Sequence, residues 1–238
     1  MSTLYLGVMS GTSRDALDGC LVSFEPELQI HQTITIPFSQ TYKHEEELSR
    51  IDAEITQKTI DLVNTVLSES NIDESKIELI AFSGQTISHT NAKSIQAGDP
   101  QKIANKTHIK VSSDFRNKDI ANGGMGAPLI PIFHKYLFGQ NGAESAVINI
   151  GGISNVTKVI KDSDDFQNNL SAFDIGPGNC LIDQWVRKNS IQKFDQNGEI
   201  AKAGKVDQLI LNQAIDNFKI NSYRQSLDVK NFDISFVR

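Results

Sequence analysis

The sequence predicts an α/β protein built twice on one plan, with the second copy unfinished. The first observation is a short apolar run, Leu4 to Met9, that empties into Ser10-Gly11-Thr12-Ser13 and is followed by a second strand-like run. The second is the return of that design at Ala146 to Ile150, with Gly151-Gly152-Ile153-Ser154-Asn155 and then Val156 to Ile160. The third is an imbalance of pattern, since strand and helix signals are dense in the first half and sparse in the second. A division into residues 1–145 and 146–238 follows from where the repeat begins.

Taken in order, the chain predicts a strand over 4–9, a second over about 19–24, and a third over 29–37, where Ile30, Thr33, Ile34 and Ile36 close a meander. From 43 to 70 the residues Leu48, Ile51, Ile55, Ile60, Leu62, Val63, Val66 and Leu67 recur at helical spacing with no Pro or Gly between them. Ile77 to Phe82 and Ile109 to Val111 read as strands. Each delivers a polar loop, Ser83-Gly84-Gln85-Thr86 in one case and Ser112-Ser113-Asp114-Phe115-Arg116 in the other. Pro128 to Phe138 opens a helix, proline being tolerated in a first turn. Further helices are expected over 180–186 and about 205–218, with Trp185 on an apolar face that reads as core.

Composition narrows the function. The 238 residues are 39% hydrophobic and 22% charged, enough apolar mass for one or two cores. A net charge of -6 with no long basic run argues against nucleic acid as a partner. No apolar run is long enough to span a bilayer and no charged leader precedes an apolar stretch, so a cytoplasmic protein with no membrane partner is the default. Cys20 and Cys180 are far apart in apolar contexts and read as buried free thiols. His31, His44 and His108 carry no assigned role. His89 and His134 lie beside candidate loops, but their spacing marks no metal cage, so none is expected and packing or surface placement is the simpler account.

Five motifs carry chemistry. The stretch Gly11-Thr12-Ser13-Arg14-Asp15-Ala16-Leu17-Asp18 puts backbone donors, hydroxyls and carboxylates in one turn, able to hold phosphate and orient a metal or its waters. A polar turn that only links two strands has the same composition. It matches neither GxxxxGK[ST] nor GxGxxG. Gly151, Gly152, Ser154 and Asn155 form a second such turn, and two of them suggest paired phosphate clamps. Asp174-Ile175-Gly176-Pro177-Gly178-Asn179 sets a carboxylate at a strand end before a helix, suited to base catalysis, though Asp174 or Asn179 could equally cap the helix. Arg116 and Asp119, followed by Gly123-Gly124-Met125-Gly126, offer a guanidinium to a ligand carboxylate and bare backbone to a sugar or phosphate. An exposed Arg–Asp pair would look alike. Gln85 and Thr86 offer groups suited to sugar hydroxyls.

Together, Met9 to Ser13, Ser83 to Thr86, Asp114 to Arg116 with Asp119, Gly123 to Leu129, Asn149 to Asn155, and Phe173 to Asn179 resemble the anhydro-N-acetylmuramic acid kinase family. The resemblance implies an actin-like ATPase (ribonuclease H-like) fold, duplicated, with the second domain incomplete here. It also implies an ATP- and Mg2+-using enzyme of peptidoglycan recycling that opens the 1,6-anhydro ring of its sugar and phosphorylates O6. On this chain Gly11 to Asp18 would clasp ATP phosphates, Asp174 would activate water, and Gln85, Thr86, Arg116 and Asp119 would contact the sugar. Members of the family are expected to dimerise. The chain departs from the family pattern at Ala16, Ser83 and Met125, where Gly, His and Gln are usual, and Ala16 is expected to crowd a turn that needs a left-handed residue. A sugar-binding or regulatory remnant of the same family is the alternative.

Overall fold

The computed structural model describes residues 2–11, 16–38, 48–90, 92–139, 144–160, 170–218, 227, 229 and 232–234. Chain contacts divide it into two compact units, residues 1–126 and 127–238.

The first unit is a mixed sheet with helices packed on it. Strands β1 (Leu4–Ser10), β2 (Ala16–Ser23) and β3 (Gln29–Pro37) form an antiparallel meander. Helix α1 (Leu48–Ser70) then crosses over and β4 (Ile77–His89) returns parallel to β1. The short β5 (Ser94–Ala97) pairs antiparallel with β4, and β6 (Val111–Ser112) pairs with it in parallel. The order is therefore β3-β2-β1-β4-β5, with β6 also on β4. Helices α2 (Pro100–Thr107) and α3 (Phe115–Ala121) complete the unit.

The alternation in β1 and β2 decides the core. Leu6 and Val8 point the same way as Leu17 and Leu21, and α1 lays Ile51, Ile55, Leu62, Val63 and Val66 against them. Gly19 lets the helix approach, since a Cβ there would lie 2.6 Å from Leu62 Cδ2. Polar residues of α1 fasten the β5–α2 connection: Asp52 Oδ1 accepts from Gly98 N at 2.8 Å and the buried Thr56 Oγ1 accepts from Asp99 N at 2.8 Å. Asp99 caps α2 by accepting from Lys102 N, with Pro100 in the first turn.

The second unit holds α4 (Pro131–Phe138), the antiparallel meander β7 (Ser145–Ile150), β8 (Ile153–Val159) and β9 (Leu170–Pro177), then α5 (Cys180–Asn189), α6 (Glu199–Ala203) and α7 (Gln208–Asn217). Val159, Cys180, Val186, Phe232 and Ile234 are its buried apolar residues. His134 bonds Thr157 through Nδ1 at 2.8 Å, which accounts for that histidine as packing.

The expected elements recur with four corrections. Ser83 to Thr86 is not a loop: β4 runs on to His89 because its distal half gains a partner in β5. Arg116 and Asp119 sit on helix α3 instead of a strand exit. Ala16, Leu17 and Asp18 belong to β2, and Ser154 and Asn155 to β8, which shortens both turns. Trp185 is not core but 39% exposed, and Leu209 and Ile215 of α7 are likewise exposed. The elements β5 and α2 carried too few residues for periodicity to register.

Candidate active site

The first turn is held from beneath. Gln85 is 1% exposed. Its Nε2 donates to Gly11 O and to Thr86 O, each at 3.2 Å, and its Oε1 lies 2.5 Å from Ser10 Oγ. Ser10 Oγ also lies 3.1 Å from Ala16 O. A hydroxyl has one proton, so Ser10 donates either to Ala16 O at the far end of the turn or to Gln85, while the Gly11 end stays tied to β4 through Gln85 Nε2 in both cases. Gln85 is thus a brace, and its amide is already spent on neighbours instead of offered to a sugar.

Of the residues expected to clasp phosphate, Gly11 stands at the turn's entry, and Thr12, Ser13, Arg14 and Asp15 lie outside the described residues. Ala16 opens β2 opposite Pro37, a strand position instead of the left-handed turn residue expected. Leu17 is fully buried in the core, which removes its side chain from any ligand. Asp18 is exposed and accepts from Thr35 Oγ1 at 2.7 Å.

In the second unit Gly151 and Gly152 turn β7 into β8 and hand their carbonyls to the start of α5. Asn179 N donates to Gly151 O at 2.8 Å, and Gly178 N and Cys180 N donate to Gly152 O at 2.9 and 3.2 Å. Asn179 Nδ2 adds a bond to Ile150 O at 3.1 Å. Gly178 is required there, because a Cβ would lie 2.2 Å from Gly151 O. The β8–β9 register shifts between Ser154 and Asn155, which pair with Gly176 and Asp174 respectively. Such a bulge bends the strand and re-aims its side chains. It sets Asp174 directly across from Asn155, two strand positions from the glycine turn. Asp174 Oδ2 accepts from Leu227 N at 2.8 Å. Asp174, Gly151, Gly152, Ser154 and Asn155 are therefore brought together.

The sugar candidates of the first unit gather around Gly126. Arg116 Nη1 donates to Gly126 O at 2.8 Å, and Asp119 Oδ2 accepts from Gly126 N at 2.7 Å. A Cβ on Gly124 would lie 2.1 Å from Asp119 Oδ2, so the glycine lets the carboxylate lie flat under the loop. Burial pulls the Arg116 pKa down. His89 sits against Gly126, and both its ring nitrogens are shielded from solvent. Burial first, and the Arg116 charge second, hold its pKa below the ordinary histidine value, against a weaker upward pull from the Met125 backbone. Thr86 Oγ1 donates to Gln96 Oε1 at 3.0 Å and Gln96 Nε2 to Ser94 Oγ at 2.7 Å. A cavity of about 390 Å³ opens beside this chain, lined by Ser83, Gly84, Lys93, Gln96 and Asn117 among others, but not by Arg116 or Asp119. Gln96 and Asn117 were missed by motif reading because a lone amide carries no pattern.

Sequence comparison then decides the family. The family model described as anhydro-N-acetylmuramic acid kinase matches residues 3–226. The chain belongs to the anhydro-N-acetylmuramic acid kinase family. The relative from Pelagibacter ubique is 36% identical over 260 residues, covering 98% of this chain and 68% of that one. The relative from Idiomarina loihiensis is 39% identical over 232 residues, covering 90% and 62%. That from Pseudomonas savastanoi is 37% identical over 253 residues, covering 100% and 68%. All three are named anhydro-N-acetylmuramic acid kinase. The chain thus spans roughly two thirds of the length of the curated kinases it matches.

Proposed function

We propose that the protein is an ATP-dependent kinase that converts 1,6-anhydro-N-acetylmuramic acid to N-acetylmuramic acid 6-phosphate, in the cytoplasm, as a step of peptidoglycan recycling. The fold is read as actin-like and duplicated, with domains 1–145 and 146–238. The observation that carries the reading is the cross-strand pairing of Asp174 with Asn155 beside the Gly151–Gly152 turn. Support for the duplication comes from the two antiparallel meanders, β1-β2-β3 and β7-β8-β9.

The described residues fit a phosphate group. The Gly151–Gly152 turn lets an anion approach the main chain closely, while the first amides of α5 are taken up by that turn's own carbonyls. Asp18 is the described carboxylate at the first turn's exit, where it would hold Mg2+ through water, that ion needing few protein ligands when phosphates supply the rest. ATP supplies the transferable phosphoryl group. Asp174 takes a proton from water as the water oxygen bonds to C1 and the C1–O6 bond breaks; the freed O6 then takes the γ-phosphoryl. Arg116 binds the acid group of the sugar, Thr86 lies in reach of its hydroxyls, and Asp119 shapes the loop under it. Full-length relatives are read as dimers, a state proposed here as well.

The test is an ATP-dependent conversion assay with 1,6-anhydro-N-acetylmuramic acid on the parent protein and on Asp174→Ala. Sugar 6-phosphate from the parent and none from the variant supports the reading. Silence from a folded parent overturns it in favour of a sugar-binding remnant.

A further inference from the structure

Thr86 and Gln96 stand directly opposite one another in the β4–β5 register, so their side chains leave the same face of the hairpin. The ladder is irregular at this point, its register shifting between Thr86 and Ser88, so regular pairing alone does not set the direction of the Thr86 side chain. An amide holds it. Thr86 Oγ1 donates to Gln96 Oε1 at 3.0 Å, and the other end of the same amide is fixed by Gln96 Nε2 donating to Ser94 Oγ at 2.7 Å.

Ser94 is 2% exposed and lies on β5, at one end of the sheet, where α3 grips it. Asn117 Oδ1 accepts from Ser94 N at 2.8 Å and Asn117 Nδ2 donates to Ser94 O at 2.9 Å, so one side-chain amide serves both main-chain groups of an edge residue. The second proton of Asn117 Nδ2 goes to Asp114 Oδ1, 2.5 Å away at the foot of the helix. A chain of hydrogen bonds thus runs from α3 through Ser94 and Gln96 to Thr86. Ser94, Gln96 and Asn117 all line the cavity of about 390 Å³. The two bonds of Asn117 to Ser94 already tie helix to hairpin. Gln96 joins two side chains of a hairpin that its backbone has already paired, so what it adds is the placement of the Thr86 hydroxyl.

Resting on the reading above in which Thr86 meets the sugar, we propose that Gln96 is a positioning residue for sugar binding. Anchored through Ser94 and Asn117 to α3, it fixes the Thr86 hydroxyl in the rotamer that the sugar meets. A hydroxyl ordered before the ligand arrives loses no rotamer freedom on binding, so the contribution of Gln96 is read in sugar affinity.

The experiment is a double-mutant cycle read by calorimetric titration with 1,6-anhydro-N-acetylmuramic acid, on the parent, Gln96→Leu, Thr86→Val and the double variant, each shown by urea unfolding to be folded. Each single variant should weaken the sugar about three- to tenfold, as for one lost hydrogen bond. The double variant should be no weaker than Thr86→Val alone, because Gln96 acts through the hydroxyl that this variant removes. In steady-state kinetics the Gln96→Leu loss should appear as a raised sugar KM with kcat and the ATP KM unchanged, a split that a loss of folded protein does not produce. Ser94→Ala, which removes the acceptor that anchors the Gln96 amide, should give a smaller loss with the same coupling to Thr86. Losses that add in the double variant, or a Gln96→Leu or Thr86→Val protein that binds as the parent does, overturn the positioning role while leaving the kinase reading intact. No binding of the sugar by the folded parent overturns both.

Discussion

Gln85→Leu is the sharpest probe of how the first turn is held, because it leaves a side chain of comparable bulk while removing the amide. The loss has three parts. Ser10 Oγ forfeits one acceptor but keeps Ala16 O at 3.1 Å, so its hydroxyl stays satisfied. Gly11 O and Thr86 O each forfeit the donor they share. Thr86 keeps other interactions and Gly11 is only partly buried, so the cost is that of roughly one acceptor left unpaired, about 1–3 kcal/mol. Leucine recovers part of this by its apolar contact, which places the net loss at about 1–2 kcal/mol. Urea unfolding reads that number, and steady-state kinetics read where it acts. A brace under the phosphate turn predicts a raised KM for ATP or a lowered kcat with the sugar KM unchanged. A raised sugar KM with ATP parameters intact would refute the brace and restore Gln85 to a direct sugar contact.

Three further outcomes test the rest. Asp174→Asn should lower turnover by on the order of 10²–10⁴ while leaving the urea midpoint nearly unmoved, since the amide oxygen can still accept from Leu227 N; a small loss of turnover would remove Asp174 as base. Gly98→Ala should cost about 2–4 kcal/mol in urea unfolding, because φ is +109 and the new methyl would meet Phe82 Cζ at 2.4 Å. Asp99→Ala should cost about 1 kcal/mol at neutral pH through the lost α2 cap. The Lys102 amide holds the Asp99 pKa below its ordinary 3.8. The cap therefore stabilises at pH above that value and is lost as pH falls through the lower folded one. Parent and Asp99→Ala stabilities measured against pH should converge on the acid side.

Long periodic segments were legible in the sequence because their signal is summed over many residues. The α1 stripe, the meander strands and the glycine turns all read directly from spacing. The extent of β4 did not, since Ser83-Gly84-Gln85-Thr86 has the composition of a loop and becomes strand only because β5 supplies a second edge to bond. The helix α3 was hidden for a related reason: its seven residues begin at Phe115, and Asp114 before them has a φ of 59 and makes no side-chain cap bond.

What the sequence determined by itself was local and chemical: which segments alternate, which turns are glycine-rich, and the ordered set of motifs that identifies the family. The tertiary structure decided the roles of single polar side chains. It turned Gln85 from a contact into a brace, laid Asp119 under its loop, put Leu17 in the core, and set His89 beside Arg116. The physical reason is that a hydrogen-bonding group has no function until its partners are named, and those partners lie far along the chain, 74 residues away for Gln85 and Gly11, where only the folded packing brings them within reach.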